Sequence, residues 1–367
     1  MSFENGSIGL RMFYLERKLP KDVLEKFSKH AAPPLKTLGH EKINGWVGGR
    51  HLLYLPITDD NAYLGGYLRL ILMQAERKVP ALLLRAECML EEVAHMRAEN
   101  QSFVDRKTRS EIRKEVHNRL LPTMPPTLRG IPFVYDERET MIYVGTVAET
   151  QTDAFVYHFQ ATTGLNPIPV NPGTVAAKRR QLDVRDWPST SFSPEVPDAE
   201  MESTPGLDFL TWLWFASEKQ EGIFKSKEHG DVGVALEGPL LFTRTGDGAH
   251  EIALRKGLPT VSAEAKTALL SGKKLRRAKL MLGHIEEAWN VTLDADTFVF
   301  RSVKLPEPKE MLDPASRFQD RVQKLGLFRD LFFELFDKFL NVRADAAKWA
   351  DTKKQIHKWA ADRSTRR

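Results

Sequence analysis

Residues 104–145 leave little freedom of local structure: VDRKTRSEIRKEVHNRLLPTMPPTLRGIPFVYDERETMIYVG. Ser110 is a good N-cap with strong helix formers behind it. Ile112, Val116, Leu120 and Leu121 recur at helical spacing, so one face is apolar. Pro122 stops the helix, and Pro125 and Pro126 hold the residues before them extended. Residues 131–135 and 140–144 then predict two strands of a hairpin turning at 136–139. Charge constrains this region too. From Arg97 to Arg129 there are eight Lys or Arg against four Asp or Glu, a balance of +4 where the whole chain carries +5.

The flanking sequence alternates strand and helix patterns. Residues 8–15 predict a strand, and Pro20 opens an amphipathic helix through Val23, Leu24 and Phe27. A turn around Trp46 at 45–49 precedes strands at 51–57 and 67–75. Pro80 opens a helix to about Asn100, and 149–163 form another. This order argues for an α+β fold, antiparallel β-sheets with helices packed on one face. Residues 171–206 hold five prolines among Ser, Thr and Asp and read as a linker or surface insertion. Lys178, Arg179 and Arg180 within it read as a solvated basic run.

Beyond the linker, residues 207–219 predict a buried aromatic helix and 231–244 one or two strands. Ser262 caps a short helix to 270, and 273–282 and 289–303 form a meander. Residues 318–340 carry Leu325, Phe328, Leu331, Phe332, Leu335, Phe336, Phe339 and Leu340, a wide apolar helix face. That face either packs on its own sheet or, through Phe332 and Phe336, buries against a second subunit. From Arg343 onward eight basic residues face three acidic ones, which predicts a tail that is a frayed basic helix attractive to polyanions.

At 42% hydrophobic residues in 367, the chain can bury sizeable cores. A single cysteine, Cys88, excludes an intramolecular disulfide and suits a reducing cytoplasm. The first residues lack a signal-peptide pattern, and no apolar run approaches the roughly 20 residues of a membrane span. A cytoplasmic protein is therefore expected.

Catalytic patterns are scarce. The sequence has no P-loop, no G-x-G-x-x-G after a strand and no G-x-S-x-G, and one cysteine cannot make a zinc motif. Glu92 and His95 stand one helical turn apart, as in di-iron bundles, but such sites need further glutamates and a second motif. A solvated helix face explains them, and a strand turn explains Asp294 and Asp296. No catalytic residue, metal or cofactor is expected. The basic residues are more informative. Between Arg255 and Lys279 eight Lys or Arg stand against Glu264 alone. Arg255, Lys256, Lys273, Lys274, Arg276, Arg277 and Lys279 form one candidate phosphate-contacting patch, with alternate residues of the strand on opposite faces. Arg106, Lys107, Arg109, Arg113 and Lys114 form a second. Two such patches track a phosphate backbone without reading bases.

One resemblance ties these features together. The segment EVHNRLLP, its following loop and hairpin resemble the recombination-associated RdgC family. So do Gly45-Trp46-Val47, Glu76-Arg77-Lys78-Val79-Pro80, GLNPIPV at 164–170, and the helix at 262–270 with GKKLRRAKLMLG after it. The similarity is diffuse, rests on order and spacing, and covers most of residues 8–343. It implies three subdomains: a centre at 1–79 plus 130–170, a helical tip at 80–129 and a base at 207–343. The insertion at 171–206 and the tail at 344–367 lie outside that plan. It further implies a ring-shaped homodimer, closed tip to tip and base to base, that encircles double-stranded DNA without sequence preference. Such a protein is nucleoid-associated and restrains RecA-dependent recombination, with RecA or its DNA filaments as a possible partner. The family often has an aromatic residue three positions after the LLP proline; Pro125 stands there, so Met124, Pro125 and Leu128 are the expected tip contacts. The alternatives are a metal-dependent DNA-processing enzyme using Glu92, His95 or Asp294, and a protein–protein adaptor using the Phe-rich helix and the tail.

Overall fold

The computed structural model describes residues 3–198, 203–226, 228–244, 251–308 and 310–362. The chain runs β1 (Ile8–Tyr14), α1 (Val23–Lys29), β2 (Ile43–Gly48), α2 (Asp59–Ala62), β3 (Tyr63–Leu64) and β4 (Tyr67–Arg77). A helical hairpin follows, α3 (Ala81–Ala98) and α4 (Arg106–Leu120). Next come β5 (Pro126–Asp136), β6 (Met141–Val144), α5 (Glu149–Thr163), β7 (Ile168–Pro169), α6 (Pro172–Arg180) and α7 (Pro205–Lys219). The last part holds β8 (Ile223–Lys225), β9 (Asp231–Thr243), β10 (Ile252–Leu254), α8 (Ala263–Leu270), β11 (Lys274–His284), β12 (Glu287–Asp294), β13 (Val299–Lys304), α9 (Pro314–Arg343) and α10 (Ala346–Ala361). The fold is α+β, as the sequence implies.

The named strands join antiparallel into one sheet with the order β10-β9-β11-β12-β13-β1-β6-β5-β4-β2. Its two halves meet on β1, where Ile8 and Leu10 pair with Val303 and Phe300 of β13 while Arg11 to Tyr14 pair with β6. In the first half both sheet faces are apolar. Ile131, Phe133, Tyr135, Ile142 and Val144 pack with Phe27 of α1 and Phe155 and Phe159 of α5. Val134, Met141 and Tyr143 point the other way, into the core built around α9. Alternation along a strand allows both faces to be buried. In the second half Leu280, Leu282, Val291 and Leu293 face α7 and α9, and the opposite face is open. At 30 residues α9 spans about 45 Å, enough to underlie both halves.

Several local expectations change. Residues 45–48 belong to β2, Gly49 turns out of it, and 51–57 form no strand. Trp46 and Val47 are both buried, Trp46 bonding Thr162 Oγ1 at 2.8 Å. Gly45 lies so close to the backbone of Ala31 and Ala32 that a side chain has no room. Helix α4 starts at Arg106 because Asp105, not Ser110, caps it by accepting from Lys107 N and Thr108 N at 2.7 and 2.9 Å.

Residues 171–206 are not a solvated linker where they are described. An Asn171–Thr174 capping box starts α6, and Val175, Ala176, Val184 and Phe192 enter the main core. The basic run in α6 is occupied: Arg179 and Arg180 hold Asp337 of α9, and Lys178 lies 3.9 Å above the Tyr14 ring. The tail, as far as Asp362, is an ordered helix that buries Trp349, Ile356 and Ala360. Phe332 and Phe336 are fully buried between Phe209 and Phe298, so neither forms a subunit interface. The Phe-rich helix is also removed from the adaptor reading.

Candidate nucleic-acid interface

Strands β4 and β5 pair as far as Arg77 and Pro126, and between those residues the chain runs out and back as α3 and α4. The hairpin has its own small core of Cys88, Val104, Ile112 and Val116, with Leu84, Met96 and Leu120 beside it. Ion pairs close its seam. Arg119 reaches Glu91 at 2.6 Å and Glu87 at 3.1 Å, and Arg109 reaches Glu92 at 3.3 Å. These pairs take Arg109 out of the phosphate-contacting set and Glu92 out of any metal set.

The rest of α4 faces water. At 100° per residue Arg106, Arg113 and His117 fall within about 40° of one another on the flank of the Ile112–Val116 face, with Lys114 farther round on the solvent side. Arg106, Arg113 and Lys114 are exposed and, among the described residues, have no carboxylate partner. Lys107 borders these residues, with Glu111 4.0 Å away. Exposed guanidinium and ammonium groups in a row on a projecting helix suit the regularly spaced phosphates of a duplex.

The second sequence cluster divides in space. Lys274 is buried, and its Nζ donates to Ser189 Oγ at 2.6 Å, Thr204 Oγ1 at 2.7 Å and Asp208 Oδ1 at 2.6 Å. Burial lowers its pKa, with Asp208 opposing the shift. It cannot meet DNA. Arg276 and Arg277 emerge on the same side because register shifts in the β9–β11 pairing interrupt the alternation. Both grip Asp294, at 3.5 and 2.6 Å, and Arg276 also approaches Glu251 at 3.4 Å. Lys279 is bound by Glu237 at 2.6 Å. Carboxylates distant in sequence thus cancel much of the excess. Asp294 is equally committed and offers no metal ligand set with Glu92 or His95. The Lys273 ammonium donates to Ser271 Oγ at 3.1 Å and has no carboxylate partner among the described residues, while Arg255 and Lys256 are exposed.

The open sheet face adds two arginines that the sequence did not single out. Arg11 on β1 and Arg301 on β13 are half-buried neighbours on the Arg277 side of the sheet. Burial pulls the Arg11 guanidinium below its ordinary value, Glu149 opposes this, and Arg301 adds to it. Both are isolated basic residues in sequence, so only the strand order reveals them. Five strand spacings separate β11 from β5, about 24 Å. The base and tip patches are therefore distinct, and the tip places its unpaired cations together on one projecting helix.

Outside the seam, α3 is apolar where water should be. Leu82, Met89, Leu90 and Val93 recur at i, i+7, i+8 and i+11, and Leu82 and Leu90 are 80% and 68% exposed. By contrast Leu128 packs on the Val47–Ile71–Met73 cluster, and the Met124 carbonyl accepts from Arg77. Pro125 is exposed. Of the expected tip contacts, Leu128 is thus committed to its own sheet.

No described helix is long and apolar enough to cross a membrane. No curated protein matches the chain. A family model with the description "Putative exonuclease, RdgC" matches residues 10–189, which take in β1, the whole helical hairpin and α6. The chain belongs to the RdgC family, which makes it a recombination-related nucleic-acid-binding protein.

Proposed function

We propose that this protein is a non-enzymatic homodimer that encircles double-stranded DNA without reading its sequence and restrains RecA-dependent recombination at the nucleoid. The observation that carries this reading is the row Arg106, Arg113 and Lys114, unpaired on a hairpin raised from the sheet by the β4–β5 ribbon. Arg11, Arg255, Lys256, Lys273 and Arg301 are the secondary contacts. No described element presents base-reading geometry, and phosphate contact alone gives binding indifferent to sequence. The exposed stripe of α3 supplies the tip contact between two copies, since Leu82, Met89, Leu90 and Val93 would be buried there.

The test is a salt titration of binding to linear and closed-circular duplex. In R106E/R113E/K114E affinity falls and the slope of log affinity against log salt flattens by roughly three, one per lost phosphate contact. The native dimer slides off linear ends and stays on circles. The same samples, given magnesium or manganese, release no nucleotides. Unchanged binding in the triple variant removes the tip from the interface. Metal-dependent digestion returns the reading to the exonuclease of the family description.

A further inference from the structure

Among the described residues, three metal-donor side chains converge away from both basic patches. Glu228 and His229 lie in the turn between β8 and β9, and Glu334 lies on α9. Their donor atoms all fall within 4.8 Å of one another. His229 Nδ1 is 2.7 Å from Glu334 Oε1. The backbone fixes this arrangement. Glu228 N and His229 N both donate to Ser226 Oγ, at 3.1 and 2.7 Å, and the His229 carbonyl accepts from His284 Nε2 at 2.8 Å. His229 and Glu334 have side chains only 21% and 15% exposed, while Glu228 opens to solvent. No lysine or arginine pairs with either glutamate among the described residues, so two carboxylates meet at one imidazole without a fixed counter-charge.

We propose that Glu228, His229 and Glu334 bind a divalent transition metal of the zinc class, with water on the remaining position. One imidazole and two carboxylates form a three-ligand set that suits zinc, whereas magnesium and calcium favour oxygen-only shells. Ligands at the 2.0–2.1 Å typical of zinc stand about 3.3 Å apart, so the ion enters by a small separation of His229 from Glu334. Bound there, it fastens the β8–β9 turn to the helix that underlies both half-sheets. An exposed Glu228 leaves the ion open to solvent on one side, as in sites that exchange a ligand.

The experiment is equilibrium dialysis of the full chain, stripped with chelator, against zinc chloride, with cobalt as an absorbing probe. One zinc per chain is expected. H229A, E334Q and E228Q each weaken uptake more than tenfold and lose the cobalt bands, while H51A, an exposed histidine elsewhere, keeps both. Circular dichroism of the metal-free variants matches wild type, which separates lost binding from lost folding. Should H229A not fold, the two isosteric glutamine variants decide. No stoichiometric uptake, or uptake retained in both E334Q and E228Q, overturns the site.

Discussion

Phe332 lies among Phe209, Phe298 and Phe300, with ring centroids 5.7, 5.0 and 5.0 Å away, each approached edge to face. Removing that ring leaves a cavity which neighbours on a helix, a turn and a strand cannot close. F332A therefore loses about 3–5 kcal/mol of stability in denaturant titration, with no change in native mass below the unfolding transition. A change in oligomeric state without that loss would return Phe332 to an interface. Asp198 gives a different kind of test. Burial alone would raise its pKa, but Lys353 at 2.7 Å and the Ser191 N–H at 2.7 Å outweigh it and hold the carboxyl below its usual range. A carboxylate depressed in the folded state stabilises above its unfolded pKa and loses that contribution as pH falls through the folded value. The stability gap between wild type and D198N is thus full at neutral pH, begins to narrow below about pH 4, the ordinary carboxylate value, and is lost as pH falls through the depressed value of the folded state. A gap that persists unchanged at pH 3 would exclude the ion pair as its source. Lys274 shows why residue type alone misleads: the sequence shows an ammonium among basic neighbours, and only the approach of Asp208 on α7, 66 positions away, reveals an internal clasp.

Elements with a strong period were legible in the sequence. Helix α5 has the bounds its pattern predicts, and α9 extends its predicted span by a few residues at each end. Strand β2 was not legible, since Trp46 and Val47 bury on opposite faces and two glycines break the alternation. Helix α6 was hidden by composition, and α10, legible as a helix, reads from its composition as a frayed one. Each spends only a few side chains on the core, and their many charges read as solvated although several are tied down, as Arg179 is by Asp337 and Lys353 by Asp198. The α3 stripe belongs to this scale too. Its leucines and methionine face away from α4, so substituting them costs the monomer no core packing. L82D/L90D keeps the melting temperature of the wild type while shifting the mass in solution toward monomer, read by light scattering. An unchanged dimer places the contact between copies elsewhere.

At the scale of the whole molecule, folding trims the charge excess of both basic regions, residues 97–129 and residues 255–279. In the tip the partners are Glu87, Glu91 and Glu92, brought across from α3 by the hairpin, and in the base they are Asp294, Glu237 and Glu251, brought together by the sheet. Order along the chain therefore gave the projecting hairpin and its cations, and could not give the neutralisation within either cluster or the nearness of Arg11 to Arg301 on adjacent strands. The position of β1 has a consequence for synthesis. Ile8 is made nearly 300 residues before its neighbour Val303, and α9 follows later still. Until then a nascent chain holds an unpaired strand edge and a bare surface of Met12, Tyr14, Val134, Met141 and Tyr143. Folding is completed late, by closure of distant partners, and such closure is slow. The segment matched by the family, residues 10–189, is accordingly not a unit that buries its own surfaces; its second face is supplied by the far end of the same chain.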